Sequence, residues 1–165
     1  MAREHFIERM VKQNNLKKGA ELGIWRGRVF LHLLRTCPDL TMIGVDSWKV
    51  RPEQTMEGGE TYETWDMVAY EKGVRRQARE FGDRAIILKM DTTEAAKEVG
   101  DLDFIFIDAG HDYESVKRDI IDWKDKVRPG GFIIGHDWDW PTVRRAAEEF
   151  FTPTPAEDNV WWLPV

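Results

Sequence analysis

The run Lys18-Gly-Ala-Glu-Leu-Gly-Ile-Trp-Arg-Gly27 is the most informative part of this sequence for its fold class. Residues 19–23 predict a short buried strand that runs into a turn, and residues 28–36 have the apolar spacing of a helix. Residues 41–46 predict the next parallel strand, which ends at Asp46. A strand, a helix and a second strand in this order indicate a parallel sheet whose connections are helices.

Two glycines bracket the turn and suggest that a ligand binds there. A ligand can approach the backbone at Gly23 and Gly27 because glycine has no Cβ, and the helix that follows offers unpaired N–H groups to an anion. Asp46 comes nineteen residues after Gly27, where an acid can accept hydrogen bonds from ribose hydroxyls. Glycines are also common in strand–helix turns for structural reasons, so the turn alone leaves both interpretations open.

The glycine spacing favours one kind of nucleoside ligand over another. Dinucleotide-binding turns have the pattern G-x-G-x-x-G, in which the later glycines let a pyrophosphate rest on the helix. Here the pattern is Glu21-x-Gly23-x-x-x-Gly27, and the Glu21 carboxylate would repel a pyrophosphate but can pair with an ammonium group. The sequence therefore favours a ligand with an amino-acid moiety, such as S-adenosylmethionine, and keeps a nucleotide-dependent oxidoreductase as a weaker alternative.

Composition and charge limit the classes of function. The 165 residues are 42% hydrophobic and 33% charged, which predicts a single globular domain over residues 1–165. The formal net charge of −6 argues against a general nucleic-acid binder, and no apolar run has the length of a membrane span. The single cysteine and a first segment without the apolar core of a signal peptide predict a cytoplasmic protein. We therefore expect neither nucleic acid nor a membrane as a partner.

The remaining sequence predicts further alternation of helices and strands. We expect helices at residues 3–16, 61–81, 93–99, 113–127 and 143–151, and strands at residues 84–90, 102–108, 132–136 and 159–163. Residues 49–60 lack periodicity and contain glycine and proline, which predicts a loop that serves as a lid or binding element. The alternation predicts an α/β fold, a mostly parallel sheet with helices on both faces.

Acidic residues collect at the predicted carboxyl ends of the strands. In an open α/β sheet, ligands bind beyond these ends. Any single acid there could be a helix N-cap instead, but all five of the predicted parallel strands end in or near one, which favours a binding cleft. These acids are Glu21, Asp46, Asp91, Asp108 and Asp137.

Two histidines lie beside the last two of these acids. Gly110 allows a sharp turn that would bring His111 back over Asp108, and an imidazole can remove a proton from a hydroxyl near neutral pH. His111 could also be a loop residue that caps the next helix. Asp108 and Asp137, at neighbouring strand ends, could share a divalent cation such as Mg²⁺. His136 is a further candidate ligand, and its nitrogen suits Mn²⁺ better than Mg²⁺.

Two longer segments carry a resemblance to a known family. They are Phe104-Ile-Phe-Ile-Asp-Ala-Gly-His-Asp-Tyr-Glu-Ser-Val-Lys-Arg-Asp-Ile120 and Arg128-Pro-Gly-Gly-Phe-Ile-Ile-Gly-His-Asp-Trp138. Together with the glycine turn, they resemble the class I S-adenosylmethionine-dependent methyltransferases, in particular the small-molecule and sugar O-methyltransferases. The likeness covers residues 18–150. It implies a Rossmann-like sheet with the strand order 3-2-1-4-5-7-6 and transfer of a methyl group to the hydroxyl of a small molecule.

The resemblance also implies roles for residues that bind the cofactor. Asp46 would bind the ribose hydroxyls, Ser47 and Trp48 would adjoin the adenine, and Asp91 would lie by the adenine amino group. The predicted cofactor-binding residues are Glu21, Gly23, Ile24, Gly27, Asp46, Ser47, Trp48, Asp91, Thr92 and Asp108.

The catalytic and metal-binding residues follow from the same resemblance. In metal-dependent members, a D-x-x-H pattern supplies a metal-binding acid and a general base, which are Asp108 and His111 here. A second acidic pair completes the metal site in those members, whereas this chain has His136-Asp137 and lacks one oxygen ligand. The predicted metal ligands are Asp108, His136 and Asp137, and the need for Mg²⁺ or Mn²⁺ is left open.

The C-terminal end of the chain is shorter than the resemblance implies. Only one strand, at residues 159–163, is predicted after the last helix, where the family has an antiparallel pair. We therefore expect a six-stranded sheet or an edge that a second subunit completes. Trp161, Trp162 and Leu163 on an exposed edge would favour a homodimer. The alternative to an enzyme is a homologue that binds the cofactor without transferring a methyl group.

Overall fold

The computed structural model describes residues 2–49 and 66–165. The helices are α1 (Arg3–Gln13), α2 (Arg28–Thr36), α3 (Met67–Ala78), α4 (Thr92–Glu98), α5 (Tyr113–Trp123) and α6 (Pro141–Phe150). The strands are β1 (Lys18–Leu22), β2 (Thr41–Val45), β3 (Ala85–Leu88), β4 (Leu102–Ile107), β5 (Val127–Gly135), β6 (Thr154–Pro155) and β7 (Trp161–Pro164). The predicted loop at 49–60, apart from Lys49, and the first part of the predicted helix 61–81 lie outside the described residues.

The strands form one sheet in the order β3-β2-β1-β4-β5-β7-β6. Each neighbouring pair from β3 to β5 is parallel, and β7 runs antiparallel to both β5 and β6. This is the strand order that the family resemblance implies. The predicted α/β fold with a mostly parallel sheet is confirmed.

The expectation of six strands was wrong, because two residues between the predicted helix 143–151 and the predicted strand 159–163 pair with β7. Thr154 lies opposite Trp162 and Pro155 lies opposite Trp161. Proline cannot donate to a strand ladder, so it indicates a turn in a sequence, yet it is tolerated on an edge strand such as β6. The edge of β7 is therefore paired within the chain, and Trp161 is fully buried. The homodimer remains a prediction, but the exposed β7 edge from which it was predicted is paired with β6.

Helices cover both faces of the sheet and give it two cores. Phe104 and Phe106 of β4 face the side that α1, α2 and α3 cover, with Phe30 among their buried neighbours. Ile105 and Ile107 face the side that α4, α5 and α6 cover. Because both faces are covered, β4 is apolar from Phe104 to Ile107 instead of alternating, as expected of a central parallel strand. No helix within residues 2–49 and 66–165 combines the length and apolar character that a membrane crossing requires.

Backbone hydrogen bonds beyond the strand ends bring the predicted site residues into one row. The backbone N–H of Gly23 donates to the Val45 carbonyl at 2.8 Å, and that of Asp46 donates to the Leu88 carbonyl at 3.2 Å. In the same way, the Asp108 N–H donates to the Leu22 carbonyl at 2.9 Å, and the His136 N–H donates to the Ile107 carbonyl at 3.1 Å. Gly23 has φ +89, and a Cβ there would lie 2.4 Å from the Asp108 carbonyl oxygen. Only glycine lets the turn after β1 pass so close to the end of β4.

Candidate functional site

A cleft of about 360 Å³ opens at the carboxyl ends of the central strands. Its walls include Glu21, Gly23, Ile24, Asp46 and Ser47 on the side of β1 and β2. Asp91, Thr92, Asp108, His111, His136 and Asp137 also line it. The structure therefore brings most of the predicted site residues to one cavity, as the rule for open α/β sheets leads one to expect.

Two backbone amides fix the Asp46 carboxylate at the end of β2. Oδ2 accepts a hydrogen bond from the Trp25 N–H at 2.7 Å, and Oδ1 accepts one from the Trp48 N–H at 2.7 Å. Trp25 and Trp48 have φ of +43 and +47, a left-handed conformation that is uncommon for bulky residues and concentrates at functional sites. A carboxylate oxygen has two lone pairs, so one that accepts a backbone N–H can accept a second hydrogen bond.

Two of the predicted cofactor-binding residues support the cleft from behind. Trp48 is buried in the core, and its indole N–H donates to the Trp25 carbonyl at 2.9 Å, so its ring does not line the cleft. Gly27 caps α2 with φ +76 and packs toward Leu31 and Val74. Both residues shape the turn, while Ser47 is the member of the predicted adenine pair that faces the cavity.

Glu21 carries a buried carboxyl oxygen that has no hydrogen-bond partner within the described part of the chain. The residue is 2% exposed, and the atom is Oε2. Burial raises the pKa of Glu21 well above its usual value, and the nearby charge of Asp108 raises it further. Such an acceptor is costly unless a ligand completes it. An ammonium group in the cleft would do so, which fits the amino-acid end of S-adenosylmethionine.

Asp91 and Thr92 combine structural contacts with a position on the cleft wall. Asp91 is the N-cap of α4 and accepts from the Thr93 N–H at 3.1 Å, so the N-cap alternative is realised here. The Thr92 hydroxyl donates to Asp119 Oδ1 at 2.5 Å. Both residues still line the cavity.

The turn after β4 brings His111 within 4.8 Å of Asp108, as expected, and the closest acidic partner of His111 is Asp137. His111 Nε2 lies 2.9 Å from Asp137 Oδ2, and His136 Nδ1 lies 3.0 Å from Asp137 Oδ1. Asp137 has φ +56, which turns its carboxylate between the two rings. The N-cap of α5 is Asp112, so the alternative of His111 as a helix cap does not apply.

The acids of this cluster have pKa values that are shifted in opposite directions. Burial would raise the pKa of Asp137, but hydrogen bonds from His111 and His136 hold it far below its usual value. Burial would lower the pKa of His111, but the hydrogen bond to Asp137 and the charges of Asp137 and Asp108 raise it overall. Burial raises the pKa of Asp108 to about 6, against the charge of Arg3. Opposed shifts of this kind concentrate at functional sites.

The structure adds one residue that the sequence did not single out. Arg3, at the start of α1, places Nη2 3.4 Å from Asp108 Oδ2. Its Nη1 lies 3.3 Å from Nδ1 and 3.2 Å from Nε2 of His136. Because these distances are nearly equal, the nitrogen lies over the ring face and not along one lone pair. Arg3 is outside the segment that carries the family resemblance, and no local motif marks it.

The same residues decide whether a divalent metal fits. Ligand atoms of Asp108, His111 and Asp137 lie within 4.8 Å of one another, which is compact enough for a cation. However, the permanent charge of Arg3 already lies beside Asp108, and His136 turns its ring face to Arg3. With Arg3 in this position, the predicted ligand set Asp108, His136 and Asp137 does not fit Mg²⁺ or Mn²⁺.

Comparisons with known proteins agree with the fold. The family model described as a methyltransferase domain matches residues 20–138, well over half of the chain. An O-methyltransferase from Bacillus cereus in complex with SAH is similar in structure, with 16% identity, a TM-score of 0.67, and coverage of 99% of this chain and 80% of that chain. The O-methyltransferase NovP has 21% identity and a TM-score of 0.69, covering 98% of this chain and 78% of that chain.

A third solved structure, SAH-bound Podospora anserina methyltransferase PaMTH1, has 16% identity and a TM-score of 0.67, and covers 98% of this chain and 78% of that chain. At such identities, these likenesses show the fold alone. No curated protein matches the chain. The family match, however, runs from β1 through the strand ends that build the cleft, so the chain belongs to the methyltransferase domain family and is a class I S-adenosylmethionine-dependent methyltransferase.

Proposed function

We propose that the protein methylates a hydroxyl group of a small molecule, with His111 as the general base. The observation that carries this proposal is the His111–Asp137 pair, 2.9 Å apart, on the wall of the same cleft that holds Asp46 and Glu21. A histidine oriented by a carboxylate is the usual arrangement for taking a proton from a hydroxyl.

The cofactor half of the cleft would hold S-adenosylmethionine by its two polar ends. Asp46 would accept from the ribose hydroxyls, and Glu21 would accept from the ammonium group. When bound, the cofactor supplies the methyl group. Glu21 is buried and the Asp108 side chain is 10% exposed, and a cationic ligand in the cleft would favour the ionised form of each acid over the neutral form that burial favours.

The acceptor half would orient and deprotonate the hydroxyl. His111 Nε2 faces Asp137, which leaves Nδ1 as the nitrogen that takes the proton. Thr142 Oγ1 donates to the His111 carbonyl at 2.7 Å, and the Trp140 ring lies 5.0 Å from the imidazole, so the base is held in place. The Asp137 carboxylate stabilises the imidazolium that forms. The acceptor oxygen would take the methyl group that the bound cofactor supplies, and S-adenosylhomocysteine would be the leaving group.

The proposal is tested by methyl transfer from labelled S-adenosylmethionine to a panel of phenols, catechols and sugars. His111→Ala should lower turnover by roughly 10²–10⁴-fold, the usual contribution of a positioned acid–base group. Its affinity for S-adenosylhomocysteine should stay the same. His5→Ala is the matched control, because His5 is exposed on α1 and does not line the cleft.

Two results would contradict the proposal in different ways. Full turnover by His111→Ala would remove the base from the mechanism. Tight binding of S-adenosylmethionine without transfer to any hydroxyl, by the wild type, would instead favour the homologue that binds the cofactor and does no chemistry.

A further inference from the structure

Arg3 gives the site a positive charge from the N-terminal helix. We propose that the Arg3 guanidinium takes the place of the divalent cation in this cleft, so that methyl transfer needs α1 and needs no metal. This inference rests on the proposed methylation of a hydroxyl. Arg3 lines the same cavity as His111 and acts on Asp108 and His136, which makes it a positioning residue.

Backbone and neighbouring contacts hold the start of α1 at the cleft, while Arg3 Nε is buried with no hydrogen-bond partner among the described residues. The Arg3 backbone N–H donates to Asp158 Oδ2 at 2.7 Å, and the next residue, Glu4, accepts from Arg28 Nη2 of α2 at 2.9 Å. The Arg3 side chain is 21% exposed, and the Asp108 side chain that it faces is 10% exposed. A charge placed this deep is stable only when it is paired. Arg3 and Asp108 therefore form a built-in pair and not a surface contact.

Each carboxylate of the cluster already has a cationic or imidazole partner in this structure, and His136 Nδ1 also lies 3.6 Å from Asp108 Oδ1. Asp137 is paired with two imidazoles, and Asp108 faces Arg3. A divalent ion bound to an Asp108 oxygen would lie within a few ångströms of the guanidinium, which cannot lose its charge. Two like charges at that distance in a buried site repel strongly. Either the ion or Arg3 can occupy the position beside Asp108.

This competition predicts that removing Arg3 creates a metal site. In Arg3→Met, which keeps an unbranched side chain, ligand atoms of Asp108, His111 and Asp137 keep their compact spacing, and the ring of His136 is uncovered. We expect the Mn²⁺ affinity of Arg3→Met to exceed that of the wild type by roughly 10–100-fold, the range over which neighbours of metal ligands change metal affinity. Arg3→Lys keeps the charge and should still exclude Mn²⁺.

The experiment measures free Mn²⁺ by electron paramagnetic resonance during titration of the full chain, which requires no turnover. All variants carry His5→Ala, because His5, Glu8 and His32 form a second cluster that could hold a cation. Arg9→Ala is the matched control. Arg9 is also on α1 and pairs with Glu157 of the C-terminal segment at 2.7 Å, but it does not line the cleft.

Activity provides a second readout. A chelator should leave wild-type turnover unchanged, Arg3→Met should lower it, and Mn²⁺ should restore part of the loss in Arg3→Met alone. Tight Mn²⁺ binding by the wild type, loss of its activity in chelator, or full metal-free activity of Arg3→Met would each overturn the proposal. If Arg3→Met does not fold, the wild-type measurements and Arg3→Lys still decide it. Failure of wild-type S-adenosylhomocysteine binding would instead reject the proposed function.

Discussion

Replacing Asp46 by alanine should destabilise the free protein, because the carboxylate holds two backbone amides. The Trp25 and Trp48 N–H groups donate to its two oxygens, each at 2.7 Å. A hydrogen bond to a charged acceptor contributes about 1.5–3 kcal/mol. Since water in the cleft replaces part of each bond, we expect the free energy of unfolding to fall by about 2–4 kcal/mol in total. Thermal unfolding should show a decrease in Tm of roughly 4–16 °C for a chain of this length.

The same substitution should weaken cofactor binding. Loss of the charged acceptor for the ribose hydroxyls costs about 1.5–3 kcal/mol, which raises the dissociation constant of S-adenosylhomocysteine by roughly 10–150-fold. Isothermal titration measures this constant directly. Asp46→Asn should lie between alanine and the wild type, because its amide oxygen still accepts one of the two backbone bonds.

Asp39→Ala is the control for both measurements. Asp39 is an exposed acid paired with Lys17 at 3.1 Å, and such a pair contributes about 0–1 kcal/mol. Unchanged S-adenosylhomocysteine affinity in Asp46→Ala would refute the ribose-binding role of the β2 end. Tight binding of NAD, with no response to S-adenosylhomocysteine, would refute the choice of cofactor itself.

Two further predictions concern the catalytic pair and the glycine turn. The rate should rise with pH as His111 loses its proton, above the ordinary pKa of histidine, because Asp137 outweighs burial and raises that pKa. Asp137→Asn should move this rise to lower pH and reduce turnover, and an unmoved profile of kcat/KM against pH would contradict the pairing. Gly23→Ala should destabilise the fold by about 1–3 kcal/mol or more, since its Cβ would lie 2.4 Å from the Asp108 carbonyl oxygen. Gly73→Ala on α3, which meets nothing within 4 Å, should instead stabilise by about 0.4–1 kcal/mol, and thermal unfolding compares the two.

Local patterns predicted most of the fold because they act over short distances. The apolar spacing of residues 28–36 predicted α2 with its observed ends, and the apolar run that ends before Asp108 predicted β4. The two-residue strand β6 was missed because Thr154–Pro155 is too short for a period and proline disfavours strands. α5 ends at Trp123 and not at the predicted residue 127, since residues 124–126 form a 3₁₀ turn.

The sequence predicted which residues of the candidate site lie at the ends of strands, but it did not predict the contacts among their side chains. Position along the chain placed Asp46 and Asp108 at the cleft, but it does not say which way a side chain points, so Trp48 was expected in the cleft and lies in the core. The pairing of His111 with Asp137 depends on a left-handed backbone at Asp137. Arg3 contacts His136 across 133 positions of sequence, and only the packing of α1 brings the two together.

A crystal structure of the protein with S-adenosylhomocysteine bound tests directly whether this cleft holds the cofactor. We expect the ribose hydroxyls at the Asp46 carboxylate, the ammonium group at Glu21, and the sulfur directed toward the side of the cleft that holds His111 and Asp108. A complex in which the ligand lies outside this cleft, or in which its sulfur faces away from His111, would contradict the central claim that this cleft transfers a methyl group to a hydroxyl.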